Sequence, residues 1–345
     1  MNGKLRRFLH TFFKIFIVFL VVTAVINIGL LAFIIINHKT KSEDDKGFLI
    51  PPGQMVELDG YRIHVLVTGN EESEDTLVFL HSSKIEDDSI ALAPLFRELA
   101  DYRLVYVDRS GFGFSDISGT ERDIDTITEE TRKALEACGI EGEYTVVAIG
   151  TSGIQAIHWA NTYPDEVKNI IGLNMNYPAQ FENMTTEEYC GFFDYLMVKF
   201  YSIGGQRLMK SLYPENKYGI YTDAQMSVRE ALTGMKGYTE DMYNEDLHMV
   251  ENAKLVDAEG IRKDIPMTLI YANPIMEPYV NEDESVHETY ITQKEKNPDV
   301  DFEGLYNEEI KEYFKGYENV KVIEMSGPAR LYTYNPKGLA ELIKN

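Results

Sequence analysis

The strongest pattern in the chain is a run of 22 uncharged residues, Ile15 to Ile36, in which Asn27 is the most polar position. A helix of that length rises about 33 Å, enough to cross a hydrocarbon core of ~30 Å. The run is longer than the apolar region of a signal peptide, and no small-x-small site follows Ile36. The pattern therefore predicts an uncleaved membrane helix over residues 15–36. Lys4, Arg6, Arg7 and Lys14 precede it, and Lys39, Lys41 and Lys46 follow it beside Glu43, Asp44 and Asp45. The excess of positive charge before the span predicts residues 1–14 on the cytoplasmic side of the cell membrane and the large domain outside. Residues 37–50 read as a polar linker, and residues 51–345 as the large domain.

Within that domain, short apolar runs alternate with helical periodicities. Met55–Leu58 and Arg62–Val67, separated by Asp59-Gly60, predict a hairpin. Thr76–Leu80 and Arg103–Asp108 read as buried strands, with a helix over Ile90–Leu99 between them. A helix over Ile124–Cys138 leads to a strand over Thr145–Ala148, and further strands follow at Val167–Leu173, Met267–Tyr271 and Val320–Glu324. A helix over Pro336–Ile343 ends the chain. Strands alternating with helices predict a doubly wound, mostly parallel α/β sheet. Residues 178–262 break the rhythm: they are rich in Met, Tyr and Phe and helical in pattern, which predicts a helical cap over one edge of the sheet. Phe192, Phe193, Tyr195, Phe200 and Tyr201 are expected either to line a pocket under that cap or to hold it to the core.

Charge narrows the partners. The net charge is -23, and residues 1–50 hold seven basic against three acidic groups. The other 295 residues therefore carry 26 basic and 53 acidic groups, a net of -27. Such a surface repels nucleic acid, which is excluded as a partner. Cys138 and Cys190 make neither a disulfide framework nor a metal motif, and no metal or other cofactor is implied.

The segment from about Val56 to Asn345 resembles the α/β-hydrolase superfamily on three ordered motifs. Leu80-His81-Ser82 stands where the family has its oxyanion loop, to which Thr151 would add a second N–H. Asp108 to Asp116, DRSGFGFSD, is similar to the family's DRxGxGxSD loop. Tyr144 to Val167, YTVVAIGTSGIQAIHWANTYPDEV, resembles the strand, glycine turn and helix of the nucleophile elbow. The resemblance implies an α/β-hydrolase fold, a serine nucleophile at the elbow, a histidine after the last strand and an acid after the strand before it.

At the elbow the chain departs from that pattern. Ser152 is the visible nucleophile candidate, but Ile154 occupies the place where G-x-S-x-G needs a small residue. Counting back from Pro164 by the family's usual fourteen residues gives Gly150 at the nucleophile position. The loop after Glu324 has no His, and Tyr332 or Ala329 fills the expected place. Glu277 stands where the acid is expected, with no histidine to orient. His64, His158, His248 and His287 are read as structural or solvated.

Three functional readings follow. The first is a membrane-anchored protein of this fold without triad catalysis, binding a small ligand or a protein partner under the cap. The second is an active serine hydrolase of an ester, amide or other acyl substrate, with Ser152 as nucleophile or with Ser82 or Ser83 in its place. The third is a structural membrane-assembly module.

Overall fold

The computed structural model describes residues 3–83, 88–216, 219–273, 308–327 and 329–345. Eight strands form one sheet: β1 (Gln54–Leu58), β2 (Tyr61–Gly69), β3 (Thr76–Leu80), β4 (Arg103–Asp108), β5 (Tyr144–Ile149), β6 (Val167–Leu173), β7 (Met267–Asn273) and β8 (Val320–Ser326). Their order is β1-β2-β4-β3-β5-β6-β7-β8, with β2 antiparallel to both neighbours and every later pairing parallel. The predicted hairpin turns at Asp59 (φ +50°) and Gly60 (φ +95°), the two positive φ values that a two-residue turn between twisted strands requires.

Alternation along the central strands feeds two cores. Val78, Leu80, Val105, Val107, Val146 and Ala148 face one side, where α3 (Ile124–Ala137) and α4 (Ser152–Thr162) pack. Leu77, Phe79, Leu104, Tyr106, Val147 and Ile149 face the other, against α2 (Ala93–Glu98) and the C-terminal helices. Burial on both faces explains why these strands read as unbroken apolar runs. The chain steps outward from β3 to β4 and then returns to β5 on the other side of β3. That reversal places a crevice at the carboxyl ends of β3 and β5.

Between β6 and β7 the described residues are helical, with no strand: α5 (Thr186–Tyr189), α6 (Phe192–Ser202), α7 (Asp223–Lys236) and α8 (Glu240–Glu259). Thr222 and Thr239 cap α7 and α8 by accepting from the backbone N–H groups of Gln225 and Met242. After β7 come α9 (Glu308–Phe314), β8, α10 (Leu331–Tyr334) and α11 (Pro336–Lys344).

The N-terminal helix α1 runs from Gly3 to Asp45 and is long and apolar enough to cross a membrane. It does not stop at the end of the apolar run. Residues 37–45, expected as a linker, continue the helix, since no Gly or Pro interrupts them before Gly47. One stripe of this extension is covered by protein. Ile34 is 5% exposed between Phe33 at 57% and Ile35 at 46%. Further along, Arg207 donates to His38 Nδ1 (3.0 Å), Ser42 Oγ (3.2 Å) and Asp45 Oδ2 (2.6 Å). Gly204, at φ +91°, lies so close to the His38 side chain that a β-carbon there would collide with it. Residues 34, 38, 42 and 45 are successive turns of one helix face.

Candidate functional site

The elbow is built by β5 ending at Ile149, a turn at Gly150 and α4 starting at Ser152. Gly150 has φ +54° and is the only residue of this turn in the left-handed region. Its N–H donates to the Leu173 carbonyl (3.3 Å), and its own carbonyl accepts from Gly153 (3.1 Å) and Asn176 (2.8 Å). The chain reverses at Gly150, so the apex of the turn has no side chain.

Ser152 lies inside the first turn of α4, 3% exposed. Its Oγ accepts from the Ile149 N–H (2.8 Å) and lies within donor reach of the carbonyls of Leu80 (2.8 Å) and Ile149 (3.0 Å). This hydroxyl ties β3 to the start of α4, and no imidazole is among its partners. Thr151 Oγ1 accepts from the Ser83 N–H (2.8 Å), fastening the predicted oxyanion loop to the elbow. The space beside Thr151 and Ser152, under Arg109 and Glu245, measures about 10 Å³, no more than one water would need.

An ion pair forms part of the wall of that space. Arg109, in the loop after β4, donates to Glu245 of α8 through Nε (3.0 Å) and Nη2 (2.6 Å), and each side chain is 2% exposed. Arg109 Nη1 also donates to the His81 carbonyl (2.7 Å), and its backbone N–H donates to His81 Nε2 (3.1 Å). The other ring nitrogen, Nδ1, therefore carries the proton and donates to the Ser82 carbonyl (2.7 Å). Burial, reinforced by the Arg109 charge, pushes the His81 imidazole down to about 3. It stays neutral with both nitrogens engaged, a structural role.

The DRSGFGFSD loop is clamped by α8 as well. Asp241 accepts from Ser110 Oγ and from the N–H groups of Ser118 (2.7 Å) and Gly119 (3.0 Å). Asp108 accepts from His64 Nδ1 (2.8 Å) and from the Phe114 N–H (3.0 Å), while His64 Nε2 accepts from the Gly53 N–H (3.1 Å). Ser115 Oγ accepts from the His64 N–H and donates to the Asp108 carbonyl. Serine, histidine and aspartate thus meet here, but the imidazole nitrogen a nucleophile would need is occupied by Gly53, and Ser115 bonds only backbone. Gly113 is required at φ +44°, because a side chain would enter the Asp108 carboxylate.

Tyr332 sits in α10 at 2% exposure, and its neighbour Thr333 meets the Tyr221 hydroxyl at 3.1 Å. His158 lies on α4 between Asp125 (3.0 Å) and Glu259 (3.2 Å), packed as expected. Glu277 and His287 fall outside the described residues.

A cavity of about 510 Å³ opens between α6, α7 and α8, with Ser83 of the predicted oxyanion loop in its wall. Met197, Leu212 and Met242 supply apolar surface, Tyr201 and Tyr238 aromatic surface, and Asp194 and Asp246 charge. Of the five aromatics expected around a pocket or core, Tyr201 is in this wall. Phe192 and Phe193 face away from both, 70% and 79% exposed, because they occupy the outer side of the first turn of α6.

The sequence reading missed Glu245, Tyr238 and Asp246. Glu245 and Asp246 are ordinary helix residues of α8 and Tyr238 lies in the turn before it, and only the tertiary fold brings them to the loops after β3 and β4. Arg109 stood inside a recognised motif, but its carboxylate partner lies 136 residues away and no spacing announces it.

No family model matches the chain. The uncharacterized protein YbdG of Bacillus subtilis (strain 168) is 27% identical over 317 residues, which cover 90% of each chain. Among solved structures, an epoxide hydrolase mutant from Bacillus megaterium aligns with a TM-score of 0.58 at 18% identity, over 85% of this chain and 99% of that one. Potato (Solanum tuberosum) epoxide hydrolase I aligns with a TM-score of 0.59 at 17% identity, over 84% and 97%. Likeness at these identities speaks to architecture and leaves activity to the site. Sheet order, strand–turn–helix elbow and structural neighbours agree: this chain has the α/β-hydrolase fold.

Proposed function

We propose that this protein is a membrane-anchored member of the α/β-hydrolase fold that has no serine-triad chemistry and binds a small ligand in the cavity under α6, α7 and α8. The observation that carries the reading is Gly150 at the apex of the elbow, where the fold's chemistry calls for a nucleophilic side chain. The engaged hydroxyl of Ser152, the neutral His81 with both ring nitrogens hydrogen-bonded, and the Arg109–Glu245 pair walling the small space beside Ser152 all support it. The cavity beside Ser83 supplies the room for a ligand that the elbow lacks. In this reading α1 crosses the membrane with residues 1–14 inside and the large domain outside, and the helical insertion is the cap.

The test is a fluorophosphonate serine-hydrolase probe applied to the full chain in nanodiscs, with any adduct located by mass spectrometry. The expected result is no covalent labelling of a protein that melts cooperatively. An adduct on Ser152 that vanishes in Ser152→Ala overturns the reading in favour of an active hydrolase, and an adduct on Ser82 or Ser83 relocates the nucleophile. For the topology, protease added to intact cells is expected to cut the large domain; protection of that domain reverses the orientation.

A further inference from the structure

Two partly exposed carboxylates line the cavity, and one buried amide oxygen lies behind its wall. Asp246 Oδ2 accepts from the Tyr238 hydroxyl (2.6 Å) and Asp194 Oδ2 from the Gly191 N–H (2.8 Å), which leaves Oδ1 of each carboxylate without a hydrogen bond. The amide belongs to Gln206, which is 0% exposed and packs with Tyr201 around Gly237, a cavity residue. Its amide nitrogen donates to the Gly234 carbonyl (2.7 Å), which fixes the orientation of the amide, and its Oε1 is buried with no partner. A fully buried amide oxygen without a donor is costly by itself and marks a place where a donor belongs.

Among the described residues, none that lines the cavity is basic. The guanidiniums behind its walls are engaged elsewhere: Arg109 by Glu245 and the His81 carbonyl, and Arg207 by His38, Ser42 and Asp45. Beside the two carboxylates the wall carries tyrosine rings, methionines and Leu212, with the hydroxyls of Ser83 and Thr233. Tyr201 and Tyr238 meet edge to face with centroids 6.5 Å apart, and Met197 and Met242 complete the apolar surface. Faces of tyrosine rings attract cations, and more strongly where water is excluded. Burial, with the charges of Glu245 and Asp194, pushes the Asp246 carboxyl up to about 7 against the Tyr238 hydrogen bond and the Arg109 charge, so the cavity wall holds a carboxyl group that a positive partner would ionise.

We infer that the cavity between α6, α7 and α8 is a binding site for a protonated amine carried on an apolar body, its N–H groups directed to Asp194 and Asp246 and its apolar part to Tyr201, Tyr238 and the methionines. This deepens the ligand-binding reading above and rests on it. A quaternary ammonium would satisfy the charge but not the acceptors, since it has no N–H to give.

The test uses the full chain in phosphatidylcholine nanodiscs near neutral pH, titrated by calorimetry against empty discs with benzylamine, benzyl alcohol and benzoate. Saturable binding of benzylamine, and none of benzoate, is expected. In the double variant Asp194→Asn/Asp246→Asn, which keeps an acceptor for Gly191 and Tyr238, benzylamine affinity is expected to fall at least tenfold while the melting transition stays cooperative. Benzyl alcohol or benzoate binding as tightly as benzylamine overturns the amine assignment and leaves a ligand cavity of another class. Unchanged benzylamine affinity in the folded double variant, or no saturable binding of benzylamine to the wild type, also overturns it. Neither outcome bears on fluorophosphonate labelling, which judges the absence of triad chemistry separately.

Discussion

A β-carbon placed on Gly150 would stand 3.0 Å from the Cβ of Ser82. The elbow and the predicted oxyanion loop therefore approach each other at a separation that glycine alone fills comfortably, and Gly150 also holds φ +54°. Restoring a serine there meets both obstacles. Gly150→Ser is expected to destabilise the fold by about 1–2 kcal/mol, the cost of a left-handed conformation for a residue with a side chain. It is also expected to gain no fluorophosphonate reactivity, because a hydroxyl without a base is a weak nucleophile. Urea melts and probe labelling of the same preparation check the two halves.

The Arg109–Glu245 pair is a second point of leverage. Glu245→Gln leaves a buried guanidinium without its counter-charge and is expected to cost about 3 kcal/mol or more. Replacing both partners, Arg109→Met with Glu245→Leu, removes the charge altogether and is expected to recover part of that loss. The recovery is incomplete because the His81 carbonyl also loses a donor. Denaturant midpoints of the single and double variants measure this directly.

Asp246 predicts a pH dependence of stability. Burial and the nearby Glu245 and Asp194 raise its carboxyl to about 7, against the Tyr238 hydrogen bond and the Arg109 charge, which lower it. Cys190 lies in the same surroundings, interacting with Asp246, Asp194 and Tyr238. In the unfolded chain an aspartate ionises near ~4. Between those values the folded state keeps a proton that the unfolded state has released, so this group's contribution falls as pH rises through the window. Asp246→Asn is expected to gain stability relative to wild type from about pH 4 to about pH 7 and to hold a constant difference above it. Melts of both proteins across that range read the slope.

Much of this architecture was legible in the sequence, for a physical reason. Stretches buried on both faces, such as residues 77–80 and 104–107, are apolar throughout, and the Asp59-Gly60 turn must tolerate positive φ, so both leave local signatures. The count from Pro164 lands on Gly150, the residue of the turn with φ +54°, because the elbow is a strand–turn–helix unit in which spacing is geometry. The site was less legible because its pairs are long-range. Nothing near Arg109 indicates Glu245, and nothing near Tyr238 indicates that Asp246, eight residues on, would face a cavity. The polar segment 37–45 misled for the opposite reason. Its composition suits a linker, and the contact with Arg207 and Gly204, added to the lack of any Gly or Pro within it, accounts for the ordered helix.

That contact yields the fourth prediction. Arg207→Ala removes the donor that reaches His38, Ser42 and Asp45, and is expected to raise amide exchange over residues 38–45 by about tenfold, taking ~1.5 kcal/mol for a charged hydrogen bond. The sheet amides of β5 and β6 are expected to be unaffected. Exchange mass spectrometry of wild type and variant in nanodiscs distinguishes this from general loosening.

The docked end of α1 also sets a mechanical hierarchy. An unbroken helix is a stiff axle, and a body gripped along three of its turns cannot swivel as one hung on a flexible tether does. The grip lies on α7 and on the residues around Arg207, whose guanidinium sits against Gly234 of α7. Thr233, the next residue, is part of the cavity wall. The cavity wall is thus joined to α1 through Gly234 and Arg207, which makes it the part of the molecule most directly coupled to that helix.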